Sequence, residues 1–375
     1  MSEHVSRLPI ALDPLIAEAK RRARQRRFLA VLSAVILLGP AAGLTLGLPS
    51  SGGGTSGGLA GAGSVGTLSI PKGTDGIAAI VYGRLSVSTE TGFHLQGLPV
   101  SAASLSPGAR YLAAGEGHSL VELAPSGKQV WTRRVGEPVT NCGACNVVAS
   151  IAWSPDSSRI AYVVRTPTRK QVLHVIRRNG THDTVVDRNA RPGQPSWRAD
   201  SRALAYVGAG ANPIIYNLTR RSRHVIRWPI ARSPSTHLAF APHGSELAIG
   251  TETAALLVGV RDRVVWRGQT WGVGWLAGRL AVSARVGIAA HHSHYVTQLY
   301  TVRHSGATLR RSTRLPAPIL TTHGRTIALR AGKSVLAGPI SSLHKVLRFT
   351  LKPCSSSAFA YVCEIPIGDQ DISIG

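Results

Sequence analysis

One β-hairpin pattern recurs along this chain, and that repetition constrains the fold more than any other feature. The best copy is SIAWSPDSSRIAYVV, Ser150 to Val164. Small residues alternate there with Ile151 and Trp153, which is the two-residue period of a strand with one buried face. Pro155 and the Asp-Ser-Ser that follows it favour a tight turn. The apolar, β-branched and aromatic run after the turn predicts a second strand.

Weaker copies of the hairpin follow one another along the sequence. They are AASLSPGARYLAAGE from Ala102, PSWRADSRALAYVG from Pro195, LAFAPHGSELAIGT from Leu238, VGWLAGRLAVSA from Val273 and ILTTHGRTIALRA from Ile319. The Ala that follows Leu or Ile falls at positions 113, 161, 205, 248, 281 and 328, in steps of 33 to 48 residues. Such a period is the signature of a repeat architecture.

A third apolar strand, a polar turn and a fourth strand follow the hairpins. In QVLHVIRRNGTHDTVVD, from Gln171, the pair Asn179-Gly180 favours a two-residue hairpin turn. Four short antiparallel strands in about 40 to 45 residues form one blade of a β-propeller. Large rings near the end of the first strand fill the gap between twisted sheets, so we expect them in the blade core. These rings belong to Trp153, Trp197, Phe240 and Trp275.

Counting the copies predicts seven blades, with six or eight as alternatives. Six hairpins lie between residues 102 and 350. GIAAIVYGRLSVSTETGFHLQGL, from Gly76, supplies about three further strands, and SAFAYVCEIP, from Ser357, supplies one. We therefore expect the two ends of the chain to complete a seventh blade together and to close the ring.

The best copy also resembles a known repeat. WSPDSSRIAY is similar to the WD40-like repeat of TolB-type β-propellers, whose consensus reads approximately Trp-Ser-Pro-Asp-Gly-x-x-Ile-Ala-Tyr. Ser157 stands where that family prefers Gly. The resemblance covers most of residues 70 to 370 and implies an all-β propeller. It implies the fold alone, because propellers host unrelated activities.

The first 66 residues predict a membrane anchor and a tether. Residues 1–27 carry seven Lys or Arg against three acids, and residues 28–48 form an uncharged apolar run. A helix of about 20 apolar residues spans a bilayer, and the basic flank places the amino end in the cytoplasm. Residues 49–66 are rich in Gly and Ser, as in flexible linkers. We expect a single-pass protein of a bacterial cell membrane with an extracytoplasmic propeller over residues 67–375; a cleaved signal peptide is the alternative.

The charge of the exported part predicts anionic partners. The chain carries a formal charge of +25, of which residues 1–27 contribute +4. A field of this size attracts lipid head groups, wall polymers, nucleic acid or acidic proteins, although export argues against nucleic acid. Two interpretations stay open: a specific polyanion-binding face, or a diffuse basic surface that reflects a GC-rich genome, since 36 of the 43 basic residues are Arg.

Signals for catalysis, cofactors and metals are weak. The sequence contains no nucleophile elbow, phosphate-binding loop or zinc-protease helix, so we predict neither catalytic nor cofactor-binding residues. His292 and His294 would share one face of a strand and are weak metal candidates. Cys142 and Cys145 have the spacing of a short disulfide, a redox pair or half a zinc site. In an oxidising compartment, Cys354 and Cys363 could also form a disulfide and clip the last strand.

These features leave three classes of function. The repeat, the tether and the lack of catalytic motifs favour a membrane-anchored binding or scaffold module for a protein, a peptide or an anionic envelope ligand. A propeller-based hydrolase or lyase is an alternative, and it would need acids and His at the channel. An envelope sensor that signals through the short basic cytoplasmic segment is the other alternative.

Overall fold

The structure, a computed structural model, describes the chain from residue 68 to residue 374 with gaps. The described ranges are 68–70, 74–81, 83–135, 148–166, 170–191, 193–227, 236–259, 263–286, 294–303, 306–315, 319–331, 334–348 and 372–374, all within one unit, Leu59–Gly375. Residues 1–66, for which we predict the anchor and the tether, lie outside these ranges. Within the described ranges, no helix has the length and apolar character needed to span a bilayer.

The described residues form 28 strands in seven antiparallel sheets of four strands each. The chain begins with β1 (Gly76–Val81), β2 (Arg84–Thr89) and β3 (His94–Pro99). Blades 1 to 3 then follow in chain order. Their strands are β4 (Ala102–Leu105), β5 (Leu112–Glu116), β6 (Ser119–Leu123) and β7 (Gln129–Arg134) in blade 1; β8 (Val148–Trp153), β9 (Arg159–Arg165), β10 (Gln171–Arg177) and β11 (Thr184–Ala190) in blade 2; and β12 (Ser196–Trp197), β13 (Ala203–Val207), β14 (Pro213–Asn217) and β15 (Ser222–Val225) in blade 3.

Blades 4 to 6 repeat the same arrangement, and a short strand ends the described chain. Their strands are β16 (His237–Phe240), β17 (Leu247–Gly250), β18 (Ala254–Val258) and β19 (Arg263–Arg267) in blade 4; β20 (Thr270–Leu276), β21 (Arg279–Val286), β22 (His294–Arg303) and β23 (Gly306–Leu315) in blade 5; and β24 (Ile319–His323), β25 (Thr326–Ala331), β26 (Ser334–Pro339) and β27 (His344–Arg348) in blade 6. The last strand is β28 (Ile372–Ile374). The seven-bladed propeller predicted from the sequence is confirmed.

Strand β28 closes the ring. It pairs antiparallel with β1, so blade 7 has the order β28-β1-β2-β3 and joins the end of the chain to its beginning. The closure by the two chain ends is therefore as expected, but the strand that provides it is Ile372–Ile374. The segment from Ser357, in which we expected that strand, lies outside the described residues.

The first strands of the blades surround the ring axis. The first strand of every blade contacts the first strand of the next blade, through all seven steps from β4 back to β28. The second strand of each blade therefore has a strand on either side and a neighbouring blade against each face. Its residues are buried on both faces, as in β9 and β13. This explains why these strands have continuous apolar sequences such as IAYVV and ALAYV.

The fourth strands form the outer wall. In β7 and β15 every residue is exposed or half-buried, and the residues there are polar or basic in most positions. Basic residues on an outer strand disfavour edge-to-edge association with another basic strand, such as that of a second copy of the protein. In blades 1 and 3 the sequence thus changes from mostly apolar in the second strand to polar and basic in the outer strand.

The turn after the first strand follows the predicted chemistry. In blade 2, Asp156 Oδ1 accepts hydrogen bonds from the hydroxyl of Ser154 at 2.6 Å and from the backbone N–H of Ser158 at 3.0 Å. Ser157 has a φ of +56°. This left-handed conformation costs an ordinary residue energy and explains the family preference for Gly at this position.

The turn between β10 and β11 is longer than we predicted. Asn179 and Gly180 do lie in it, but the connection runs from Arg178 to Asp183 rather than over two residues. The backbone N–H of Arg177 bonds to the carbonyl of Thr181 at 2.9 Å. The strand pairing therefore ends before the Asn-Gly pair. The last residue of the turn is Asp183, and its side chain contacts β9 and β10.

Candidate functional site

The four predicted blade-core rings occupy equivalent positions near the ends of β8, β12, β16 and β20. Trp153, Trp197, Phe240 and Trp275 are all buried. Each lies where its first strand contacts the first strand of the preceding blade. These rings are therefore part of the packing between blades.

The three indoles also form hydrogen bonds across blade boundaries. Each Nε1–H donates to a backbone carbonyl in the first strand of the preceding blade. The pairs are Trp153 to Ser104 at 2.9 Å, Trp197 to Ala152 at 3.1 Å and Trp275 to Ala239 at 3.0 Å. Each bond satisfies an inner-strand carbonyl that has no neighbouring strand on that side. The sequence pattern predicts the rings, but not these bonds.

A serine provides the corresponding link where no indole is present. The backbone N–H of Phe240 donates to the hydroxyl of Ser196 at 2.9 Å. In blade 1, the N–H of Leu105 donates to the hydroxyl of Ser373, in β28, at 3.1 Å. Both serines come one residue before the ring position of the preceding blade. This equivalence places β28 in the same role as the first strands of the other blades.

A half-buried carboxylate organises the boundary between blades 1 and 2. Asp183 accepts a hydrogen bond from the hydroxyl of Tyr162 at 2.8 Å and lies 3.1 Å from Nδ1 of His174. The Tyr162 and His174 rings stack with centroids 4.9 Å apart. Burial acts to raise the pKa of Asp183, but the bonds from His174 and Tyr162 and the charge of Arg133 outweigh it, so the pKa lies below its usual value. Burial raises the pKa of Tyr162 far above its usual value.

This cluster has a structural arrangement rather than a catalytic one. Both oxygens of Asp183 have partners, and Tyr162 has no exposed surface. A nucleophile or general base must be within reach of a substrate, and the tyrosine hydroxyl is not. The cluster instead ties the β10–β11 turn to β9 and β10.

Two buried carboxylates also lie at blade boundaries, one between blades 1 and 2 and one between blades 2 and 3. Glu122 accepts a hydrogen bond from Nε1 of Trp131 at 2.8 Å, and Nη1 of Arg178 is 3.6 Å away. Burial raises its pKa, and these two partners offset only part of that effect. Between blades 2 and 3, Asp187 accepts a hydrogen bond from the hydroxyl of Tyr206 at 2.8 Å and pairs with Arg223 at 3.7 Å. Sequence reasoning missed all three acids; the repeated Ala-Tyr of β9 and β13 was the one available signal.

The other predicted site residues give no described side-chain geometry. Cys142, Cys145, Cys354, Cys363 and His292 lie outside the described residues. His294 begins β22, and its backbone alone is described. Among the side chains that the structure does describe, no group of three or more His, Cys, Asp or Glu is arranged to hold a metal ion.

The candidate binding surface is the outer wall of the propeller. The exposed large aliphatic side chains of the described residues all lie on fourth strands; they are Val130 on β7, Val185 on β11, Val225 on β15 and Leu309 on β23. Arginines accompany them on the same strands. On β7 and β15, Arg133 and Arg223 are near the acids Asp183 and Asp187, at 3.8 and 3.7 Å.

Strand β23 differs from β7 and β15 in its charges. Its sequence, GATLRRSTRL, contains three arginines and no acid. Arg310, Arg311 and Arg314 are all exposed. None of them forms an ion pair with any carboxylate among the described residues. No described carboxylate therefore neutralises these charges, which lie on the same strand as the exposed Leu309.

Comparison with known proteins agrees with the fold. No protein-family model and no curated protein match the chain. Among solved structures, the tricorn protease matches 76% of this chain with a TM-score of 0.54 and 12% identity; the match spans 35% of that protease chain. A functionally unknown protein from Desulfotomaculum acetoxidans DSM 771 matches 73% of this chain and 95% of its own, with a TM-score of 0.53 and 9% identity.

A protein assigned as TolB from Agrobacterium tumefaciens is also among the structural matches. It aligns with 74% of this chain and 98% of its own, with a TM-score of 0.42 and 12% identity. The two matches with TM-scores above 0.5 agree with the all-β propeller fold of this chain. Identities this low describe the fold alone.

Proposed function

We propose that the protein is a binding or scaffold propeller, anchored in a membrane by residues 28–48, that holds an anionic ligand outside the membrane. The observation that carries this proposal is the set of exposed arginines on β23 that have no carboxylate partner among the described residues. The inner strands and blade boundaries are occupied by indole bonds and buried acids. The outer wall carries exposed charge that is not used within the described part of the fold.

Electrostatics supports an anionic partner. Exposed guanidinium groups without carboxylate partners attract anions over about 10 Å at ordinary salt and form bidentate hydrogen bonds to carboxylate or phosphate. Salt bridges already formed within the fold, such as Arg198 with Asp200 at 2.7 Å, contribute much less to this attraction. The arginines on β23, which have no partner among the described carboxylates, are therefore a better docking position than the turns in which acids accompany arginines.

A pull-down of the full chain from envelope extract tests the binding role. The bound material is washed at low salt and then at high salt. Retention of one defined partner through the high-salt wash is expected for a specific binding surface, because packing and directed hydrogen bonds survive screening. Release of all bound material as salt rises would contradict the proposal and would leave only a diffuse basic surface.

Membrane attachment has its own test. Deletion of residues 28–48 should move the chain from the membrane fraction to the soluble fraction, and alkaline washing should leave the intact chain in the membrane. A deletion variant that remains with the membrane would contradict anchoring by this segment. A matched deletion within the linker, residues 50–63, should leave the chain in the membrane.

A further inference from the structure

The outer edge of β23 pairs with no other strand in the part of the chain that the structure describes. Strand β23 is the last strand in the order β20-β21-β22-β23, so one of its edges bonds no other described strand. It has ten residues, compared with four to seven in the fourth strands of the other six blades. An extended edge of this length presents a row of backbone N–H and C=O groups that can accept another strand.

The register of blade 5 places its side chains on both faces of the sheet. Leu309 pairs with Tyr300 and Arg314 with Val296, whereas Arg311 pairs with Leu299. Residues paired across antiparallel strands share a face, and Tyr300 packs toward blade 4 while Leu299 packs toward blade 6. Leu309 and Arg314 therefore lie on the blade 4 side, and Arg311 lies on the blade 6 side.

Another outer strand of the same molecule already has a segment against its edge. The backbone N–H of Ser69 donates to the carbonyl of Val346, on β27, at 2.9 Å. Leu68 is buried with Val346 and Leu347 in the same apolar cluster. The outer edge of blade 6 thus combines a backbone hydrogen bond with the burial of one apolar side chain. No described segment does the same at β23.

We propose that the outer edge of β23 binds an extended acidic segment of a partner protein by strand addition. Backbone hydrogen bonds to the free edge would align the segment, an aliphatic side chain would cover Leu309, and carboxylates would pair with Arg310, Arg311 and Arg314. This inference rests on the proposed binding function and names its site and the chemistry of its partner.

The edge favours a peptide over a phosphate polymer for two reasons. A strand edge alternates donors and acceptors, and a peptide supplies both, whereas a phosphodiester supplies acceptors alone. Leu309 is 47% exposed and needs an apolar partner, which a polyphosphate lacks. An acidic and aliphatic peptide satisfies the backbone, the leucine and the arginines together.

Fluorescence anisotropy of the full chain with short labelled peptides tests the inference. The first peptide is eight residues long and has the sequence Glu-Glu-Val-Val-Glu-Glu-Val-Val, so that each face of the extended peptide carries both Glu and Val. The second has the same charge but contains Pro at two of the Val positions, which removes two N–H donors and disfavours strand pairing. Unlabelled polyphosphate is the competitor that reports charge without backbone pairing.

Two matched variants locate the site. In the first, Arg310, Arg311 and Arg314 are replaced by Gln. In the second, three exposed arginines of blade 3 that form no ion pair with described carboxylates, Arg220, Arg221 and Arg227, are replaced by Gln. Both variants lose the same charge, and circular dichroism checks that both are folded. Exposed charge pairs are individually weak, so the loss of three should weaken binding about ten-fold.

The expected result is ten-fold weaker binding of the Glu-Val peptide by the β23 variant, little change in the blade 3 variant, and weaker binding of the Pro peptide by the native chain. Equal losses in the two variants, or equal binding of the two peptides, would overturn strand addition at β23. Strand addition at β23 would also be overturned if the native chain binds no peptide but retains its partner in the high-salt pull-down. In that case the proposed binding function stands. A pull-down without any retained partner contradicts the binding function itself.

Discussion

The hydrogen bond from Trp153 to Ser104 offers a direct test of how the blades are held together. Trp153→Phe keeps an aromatic ring in the same place, including its stacking with Tyr111 at a centroid distance of 6.0 Å. It removes the N–H that donates to the Ser104 carbonyl at 2.9 Å. Blade 1 then loses a bond to blade 2, and a buried carbonyl loses its donor.

The size of the effect follows from two contributions. A buried acceptor left without its donor costs about 1 to 3 kcal/mol. The smaller ring leaves unfilled volume beside a side chain that is 6% exposed, which costs a further ~1 to 2 kcal/mol. We therefore expect Trp153→Phe to lower the free energy of unfolding by about 2 to 5 kcal/mol.

Urea unfolding followed by circular dichroism measures this change without relying on tryptophan fluorescence. Phe240→Leu is the matched control, because Phe240 occupies the equivalent position in blade 4 and donates no side-chain hydrogen bond. It should lose about 1 to 2 kcal/mol through packing alone. A loss below about 0.5 kcal/mol in Trp153→Phe, or a loss no greater than that of the control, would refute the role of the indole bond.

Three other predictions concern the turns, the closing strand and the buried acids. Ser157→Gly should stabilise the fold by up to about 1 kcal/mol in urea unfolding, because φ is +56° at this position. Ser201, with a φ of +58°, is the control. Ser201→Gly should not stabilise the fold, because the Ser201 hydroxyl accepts a hydrogen bond from the Asp156 N–H at 3.2 Å. Ser373→Ala removes the acceptor of a β4 backbone N–H and should lower the free energy of unfolding by about 1 kcal/mol in the same measurement. A chain that ends at residue 371 lacks β28 and should unfold at a far lower urea concentration. In unfolding measured against pH, Asp183, with its lowered pKa, contributes stability that is lost as pH falls below about 4, so Asp183→Asn should remove that loss. Glu122 has a raised pKa and contributes stability that is lost as pH rises through its folded pKa. Glu122→Gln should therefore remove this loss of stability at higher pH.

The sequence predicts the frame because the frame depends on local patterns. The turn at Ser157, the apolar run of β9 and the spacing of the rings each reflect neighbours within one blade. These neighbours are close in the chain, so hydrophobic period and turn chemistry are sufficient to place them. The closing strand was harder to place, because Ile372–Ile374 is three residues long and carries no turn signal of its own.

The contacts between blades were not predictable in the same way. The acceptor of Trp153 is 49 residues away, and no property of Ser104 marks its carbonyl as the partner. Asp183 resembles an ordinary turn residue in the sequence, although Tyr162 and His174 hold it from two other strands. Such contacts depend on how neighbouring sheets twist against each other, and hydrophobic period within one blade contains no information about that angle.

The division between inner and outer strands explains why we place the ligand-binding residues on the outer strands. First and second strands are constrained by burial, by the indole bonds and by the Ser196 and Ser373 hydroxyls, so a substitution there changes stability first. Strand β23 has no such constraint on its outer edge. Its three arginines and Leu309 can change without disturbing a described contact between blades. The fold does not require the three arginines of β23 or the exposed Leu309. Their presence on one strand is therefore best explained by a binding partner.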